Sequence, residues 1–134
     1  MEADTLQSAL AEYFAPWVQE LGLRVEAFDA HSVTLRLPQS ERLSRVGGML
    51  CGQAMMAAAD TAMVLALVNQ FGAFRPCTTV QMNTTFLKPL SNQDALVQAR
   101  VLRAGKTLAF GEIDLRGADD SRSVCRASVT YALL

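Results

Sequence analysis

The sequence predicts an α+β fold: one curved, six-stranded antiparallel sheet wrapped around a single long apolar helix, with a further helix at the N-terminus. Three observations carry this. The stretch GGMLCGQAMMAAADTAMVLALVNQFG, from Gly47 to Gly72, holds one charged residue, Asp60, and is otherwise apolar, small or amide. A helix apolar on all sides needs cover on all sides. From Cys77 onward the pattern changes to period two and keeps it through four runs, the signature of half-buried strands. Those runs are separated only by SNQ, AGK and GADDS, turns short enough to join neighbours antiparallel. At 134 residues the chain reads as one domain, 1–134, which buries roughly two-thirds of its unfolded surface.

The elements follow in order. TLQSALAEYFAPWVQELG sets Leu6, Leu10, Tyr13, Phe14, Trp17, Val18 and Leu21 at helical spacing and ends at Gly22. Pro16 either kinks this helix or splits it, because proline removes a backbone donor and crowds the preceding turn. LRVEAFD and HSVTLRLP alternate apolar and polar residues around Asp29-Ala30-His31, which reads as a hairpin. QSERLSRVGG is a polar, Gly-ended loop that leads into the apolar helix. CTTVQMNTTFLKPL then alternates Val80, Met82, Thr84 and Phe86 with polar neighbours, and DALVQARVLRAG, KTLAFGEIDLRG and SRSVCRASVTYALL complete the sheet. An open edge strand and an apolar outer face predict a dimer.

Composition excludes several classes. Hydrophobic content of 51% with 19% charge is globular. A net charge of −1 gives no electrostatic case for nucleic acid or an acidic membrane. The apolar helix nearly reaches the length of a span, but Asp60 lies near its centre, Gln53 near its start, and no Lys or Arg flanks it closely. It reads as a core helix. Cys51, Cys77 and Cys125 lack metal-type spacing and are odd in number. With Glu2 and Asp4 where a leader would carry Lys or Arg, they predict reduced thiols and a cytoplasmic location.

A carboxylate in the most hydrophobic helix is costly unless it is paired, hydrogen-bonded or neutralised. That cost marks Asp60 for a role. The order of elements and the central helix resemble the hotdog fold, and more narrowly the PaaI-type acyl-CoA thioesterases of the 4-hydroxybenzoyl-CoA thioesterase superfamily. That family's helix begins His-Gly-Gly and carries Asp-Thr-Ala eight residues after the first Gly; CGQAMMAAADTA gives Gly52 and then Asp60-Thr61-Ala62 at the same spacing. TTVQMNTTFLKPL is similar to the family's strand ending Phe-Leu-Arg/Lys-Pro, and ARVLRAGKTLAFGEIDL to its next hairpin. The likeness covers roughly residues 20 to 133. It departs where the family's His falls on Cys51, its second Gly on Gln53 and an upstream Asn on Arg45.

The resemblance implies hydrolysis of an acyl-CoA thioester. Such a reaction needs a donor for the developing oxyanion and a base or nucleophile for the carbonyl. Helix-start amides have no intrahelical partner, so the Gly52 N–H is the implied donor, although a Gly there also serves packing. Asp60 is the implied second group, either activating water or attacking directly; its structural reading is a cap or a partner of a buried Arg. Thr78 and Thr79 fall where the family often has a hydroxyl that orients water, although Thr is common in strands. Gln53 either holds substrate or fills the first turn. Cys51, at the helix start, has no evident base, since the one histidine, His31, belongs to the early hairpin. It reads as a small hydrophobe at the substrate.

For the CoA phosphates, family likeness points to Lys88, Arg103 and Lys106, with Arg45 facing substrate or phosphates. Met49, Leu50, Met55, Met56 and Phe86 would line the acyl pocket, whose Met-rich wall suits a medium-chain or aryl group. Gly52 and Asp60 are about 12 Å apart along one helix, so both reach one carbonyl only across antiparallel subunits. The expectation is a homodimer or a homotetramer of two dimers, with no metal or redox cofactor. Its rivals are a hotdog protein that binds acyl-CoA or acyl carrier without turnover, an assembly protein with Asp60 buried and paired, and a dehydratase, which the missing His disfavours.

Overall fold

Proline does split the first helix. The computed structural model describes residues 1–134, and in it α1 spans Ala3–Glu12 while α2 spans Pro16–Gln19, with Pro16 at its first position. A proline there sacrifices an amide that had no helical partner in any case. α1 buries Leu6, Ala9 and Leu10, and Gln7 ties it to the sheet: its amide nitrogen donates to the Leu23 carbonyl at 3.1 Å, and its carbonyl accepts from the Val25 N–H at 2.8 Å.

β1 (Arg24–Phe28) and β2 (Ser32–Leu37) form the expected hairpin. The Asp29 carboxylate closes its turn by accepting the N–H groups of His31 and Ser32, both at 2.9 Å. After a polar loop come α3 (Gly52–Phe71), β3 (Cys77–Phe86), β4 (Ala95–Ala104), β5 (Leu108–Gly117) and β6 (Ser123–Leu133). α3 stops at Gly72, whose φ of +78° suits glycine and whose N–H donates to the Val68 carbonyl at 2.9 Å.

The six strands form one antiparallel sheet in the order β1-β2-β4-β5-β6-β3. The chain leaves α3, runs to the far edge as β3, and returns to the middle, so β3 ends up beside the last strand. Inward residues such as Leu35, Val97, Ala99, Ile113, Leu115 and Val129 cover α3 from the sheet side, and α1 adds Leu6 and Leu10. This is the hotdog arrangement. The helix that is long and apolar enough to cross a membrane has most of its apolar window buried inside the fold, as a core helix. It comes so close to β5 that a Cβ on Gly111 would collide with the Met63 thioether and lie 3.0 Å from the Arg100 carbonyl oxygen.

One expectation holds only in part. The middle of the outer sheet face is polar: Asn83, Ser128, Glu112 and Arg100 lie in one cross-strand row, with Asp114 and Arg126 in the next. Towards the β4–β5 turn the same face is apolar, with Leu102, Leu108 and Phe110 exposed. Apolar exposure also lies along the β3 edge, where Val80 is 59% and Phe86 49% exposed. Beside it α3 leaves one stripe uncovered: Gln53, Met56, Ala57, Asp60 and Val64 are exposed or half-buried. Their spacing of three and four residues puts them on a single helix face.

Candidate active site

Asp60 is hydrogen-bonded. Its Oδ1 accepts from the Thr79 hydroxyl at 3.0 Å and from the Tyr131 hydroxyl, which also reaches the Asp60 backbone carbonyl at 3.1 Å. The carboxylate is half-buried on the uncovered stripe, although the helix around it is the most hydrophobic stretch of the chain. None of the chain's ion pairs includes it. Register explains the arrangement: Thr79 on β3 and Tyr131 on β6 are directly opposed, on the face that looks at α3. Tyr131 is 1% exposed. Burial, and then the Asp60 charge, push its phenol far above the ordinary value, so it acts as a donor. Cys77 borders the cluster, and burial and Asp60 likewise push its thiol up.

Gly52 opens α3, and Cys51 before it is extended at φ −73°, ψ 148°. The N–H groups of Gly52, Gln53 and Ala54 have no acceptor in the chain, as expected of a helix start. A groove of about 280 Å³ lies against this start, lined by Arg45, Met49, Leu50, Gly52, Met55, Phe86, Leu87, Lys88 and Pro89. Phe86 packs so closely that a Cβ on Gly52 would stand 3.2 Å from its ring. The loop before the helix is pinned on both sides: Leu50 N–H donates to the Leu90 carbonyl at 2.8 Å and Cys51 N–H to the Leu43 carbonyl at 2.9 Å. A tight turn, Gly48 N–H to Arg45 carbonyl at 2.9 Å, presents Arg45.

The chain therefore brings Arg45, Gly52, Phe86 and Lys88 together at one end of α3, with Met49, Leu50 and Met55. It brings Asp60 and Thr79 together at another place. Cys51 and Gln53 flank Gly52 on a second groove of about 250 Å³ that runs under Trp17 and Leu43. Thr78 pairs with Ala132 and makes no side-chain bond to Asp60. Met56 is outside the Gly52 groove, 39% exposed on the open stripe. Arg103 and Lys106 flank the β4–β5 turn beside Arg75, which donates to the Lys106 carbonyl at 3.1 Å. That is the Cys77 end of β3, far from Lys88. His31 lies near Gln70, at the opposite end of α3 from Cys51, roughly 28 Å away along the helix. It is no base for that thiol. Sequence reasoning missed Tyr131, whose inward place in SVTYALL reads as core until β3 is seen to lie beside β6.

A family model described as the thioesterase superfamily matches residues 47–124, more than half of the chain and the whole of α3. The chain belongs to the thioesterase superfamily. Among relatives in this superfamily, a provisionally named esterase of Pseudomonas aeruginosa, PA1618, is 30% identical over 116 residues, 85% of this chain and 79% of its own length. A provisionally named thioesterase of Silicibacter sp. TM1040 superposes with a TM-score of 0.89 at 30% identity, covering 100% of this chain and 92% of its own. Thioesterase HI1161 of Haemophilus influenzae gives 0.88 at 19% identity, covering 100% and 91%, a likeness of fold.

Proposed function

We propose that the protein is a thioester hydrolase that cleaves an acyl-CoA to free acid and CoA, at two equivalent sites built between the subunits of a homodimer. The observation that carries this reading is the separation of Asp60 from Gly52, about 12 Å along one helix, with each half-site complete apart from what the other supplies. A second copy bridges the gap. β3 is an edge strand with free backbone groups able to pair with another β3. Along it Thr79 marks the Asp60 end and Phe86 the Gly52 end. Counting the bulge between Thr79 and Gln81 as one step, a pairing that sets Thr79 opposite the partner subunit's Phe86 puts the twofold axis at Asn83.

Two further features support that pairing. The uncovered α3 stripe then meets its own copy. Arg103 and Lys106 of the partner subunit approach the Arg45 and Lys88 end, concentrating cations where CoA phosphates need them. Two such dimers make the expected tetramer. In the reaction, the Gly52 N–H holds the carbonyl oxygen as it becomes an oxyanion. Asp60 of the partner subunit either takes a proton from the attacking water or adds to the carbonyl to give an anhydride that water opens. Either way one water is consumed, and the thiolate leaves and is protonated as CoA. These residues carry the reaction as written without a cofactor, and we place it in the cytoplasm. The groove walls of Met49, Leu50, Met55 and Phe86 fit a medium-chain or aryl acyl group.

A second reading, binding of acyl-CoA or acyl carrier without turnover, is favoured by Cys51 and Arg45 standing where the family has His and Asn. Loss of thioester ultraviolet absorbance across short-, medium-, long-chain and aryl acyl-CoAs separates the two. Turnover by the wild type that falls at least about a hundredfold in a folded Asp60→Asn variant supports hydrolysis. Tight binding with no turnover supports the binder.

A further inference from the structure

We infer that Tyr131 is a positioning residue that divides the labour of the Asp60 carboxylate, holding Oδ1 and leaving Oδ2 as the reacting oxygen. The inference rests on the catalytic reading of Asp60 and goes beyond it. Two hydroxyls, from Thr79 and Tyr131, converge on Oδ1, while no side chain or N–H of the chain binds Oδ2. A carboxylate oxygen that accepts two donors has its lone pairs committed and is a poor base and a poor nucleophile. The free oxygen on the same carboxylate keeps its capacity.

Tyr131 is suited to the holding role. Its ring is fixed in the core, its hydroxyl also reaches the Asp60 carbonyl at 3.1 Å, and it is anchored on β6 between β5 and β3. Thr79 is on the edge strand β3 and makes a single hydrogen bond to the carboxylate. The groups facing the carboxylate are few. β6 supplies Tyr131, β3 supplies Thr79 and Cys77, and α3 carries no other charged side chain. The chain's ion pairs, on Arg36, Arg42, Arg116 and Arg126, all exclude Asp60. The two hydroxyls are therefore what orients it.

The test compares wild type, Tyr131→Phe and Asp60→Asn on one acyl-CoA that the wild type turns over. Tyr131→Phe is expected to lower kcat about 10- to 100-fold, in the range of a lost positioning contact, with KM within about twofold. A merely structural tyrosine lowers stability and leaves the kcat of the folded protein in place. Should Tyr131→Phe fail to fold, 3-fluorotyrosine incorporated into a Tyr13→Phe chain keeps the shape, since the protein has only two tyrosines. Its more acidic phenol alters the bond donated to Oδ1, and kcat is expected to change with KM held. An inactive Asp60→Asn beside a Tyr131→Phe with wild-type kcat, or a kcat unmoved by fluorination, overturns the Tyr131 role alone. An active Asp60→Asn overturns the site itself.

Discussion

Thr79 and Tyr131 face each other across the β3–β6 ladder, and their hydroxyls meet on one oxygen of Asp60. The sheet thus reaches up to a helix that offers a single carboxylate, and the cost of placing that charge among apolar residues is offset by two donors. Asp60 is on the one face of α3 that its own chain leaves open, eight residues beyond the free N–H of Gly52. In the proposed dimer the same face serves assembly and chemistry.

If β3 pairs with its own copy about Asn83, the two Asn83 Cα atoms stand roughly 4.5–5.5 Å apart, within disulfide range. Asn83→Cys is expected to give a covalent dimer on mild oxidation, resolved by non-reducing electrophoresis. Val80→Cys, whose partner-side neighbour in that register is near Thr85 rather than itself, is expected to stay monomeric in the gel. Wild type, with its free Cys51, Cys77 and Cys125, serves as the control.

Gly111 has no room for a side chain. Gly111→Ala drives a methyl into Met63 and toward the Arg100 carbonyl, and overpacking of this kind costs about 1–3 kcal/mol. Thermal unfolding is expected to shift down by several degrees, about 2–5 °C per kcal/mol for a chain of this length. A shorter side chain at Met63 in the same protein should recover part of the loss.

Asp94 joins the β2 end to β4. It accepts the Gln39 N–H at 2.7 Å and the Arg36 guanidinium at 2.9 Å, which hold its carboxyl below the ordinary value. A depressed carboxyl stabilises the fold above its unfolded value, about pH 4, and loses that contribution as the pH falls through the folded value. Because the Asp94 side chain is 30% exposed, screening reduces the effect, and Asp94→Asn is expected to cost about 1 kcal/mol at pH 7. Denaturant curves should show that difference shrinking below pH 4. A difference that grows in acid contradicts the assignment.

Much of this was legible in the chain. Pro16 marked a kink or a break in the first helix, Asp29 a turn, and the all-round apolar run from Gly52 a helix enclosed by sheet. Asp60 stood out because it was alone. Tyr131 did not, because an inward tyrosine in an alternating strand reads as core, and only the position of β3 beside β6 brings it to Thr79. The same topology parts Lys88 from Arg103 and Lys106 within one chain, which family likeness had grouped. Thr78 and Thr79 differ only in which face they take, and the polar middle of the outer face depended on cross-strand rows that no single run displays.

The central claim is that each site takes its oxyanion donor from one subunit and its carboxylate from the other. Gly52→Pro removes the donor N–H at a first helical position that accepts proline, after an extended Cys51 that already suits one, and Gly52→Ala, which sets the same Cβ against the Phe86 ring but keeps the N–H, is its control for crowding. Gly52→Pro and Asp60→Asn, each alone, are expected to be folded dimers with activity reduced at least about a hundredfold. Mixed and allowed to exchange subunits, they form heterodimers in which one of the two sites has both intact groups. Activity is then predicted to recover to about a quarter of wild type, since half of the dimers are mixed and each carries one working site. No recovery in dimers shown to have exchanged would mean that the two groups act within a single chain, and would contradict the account.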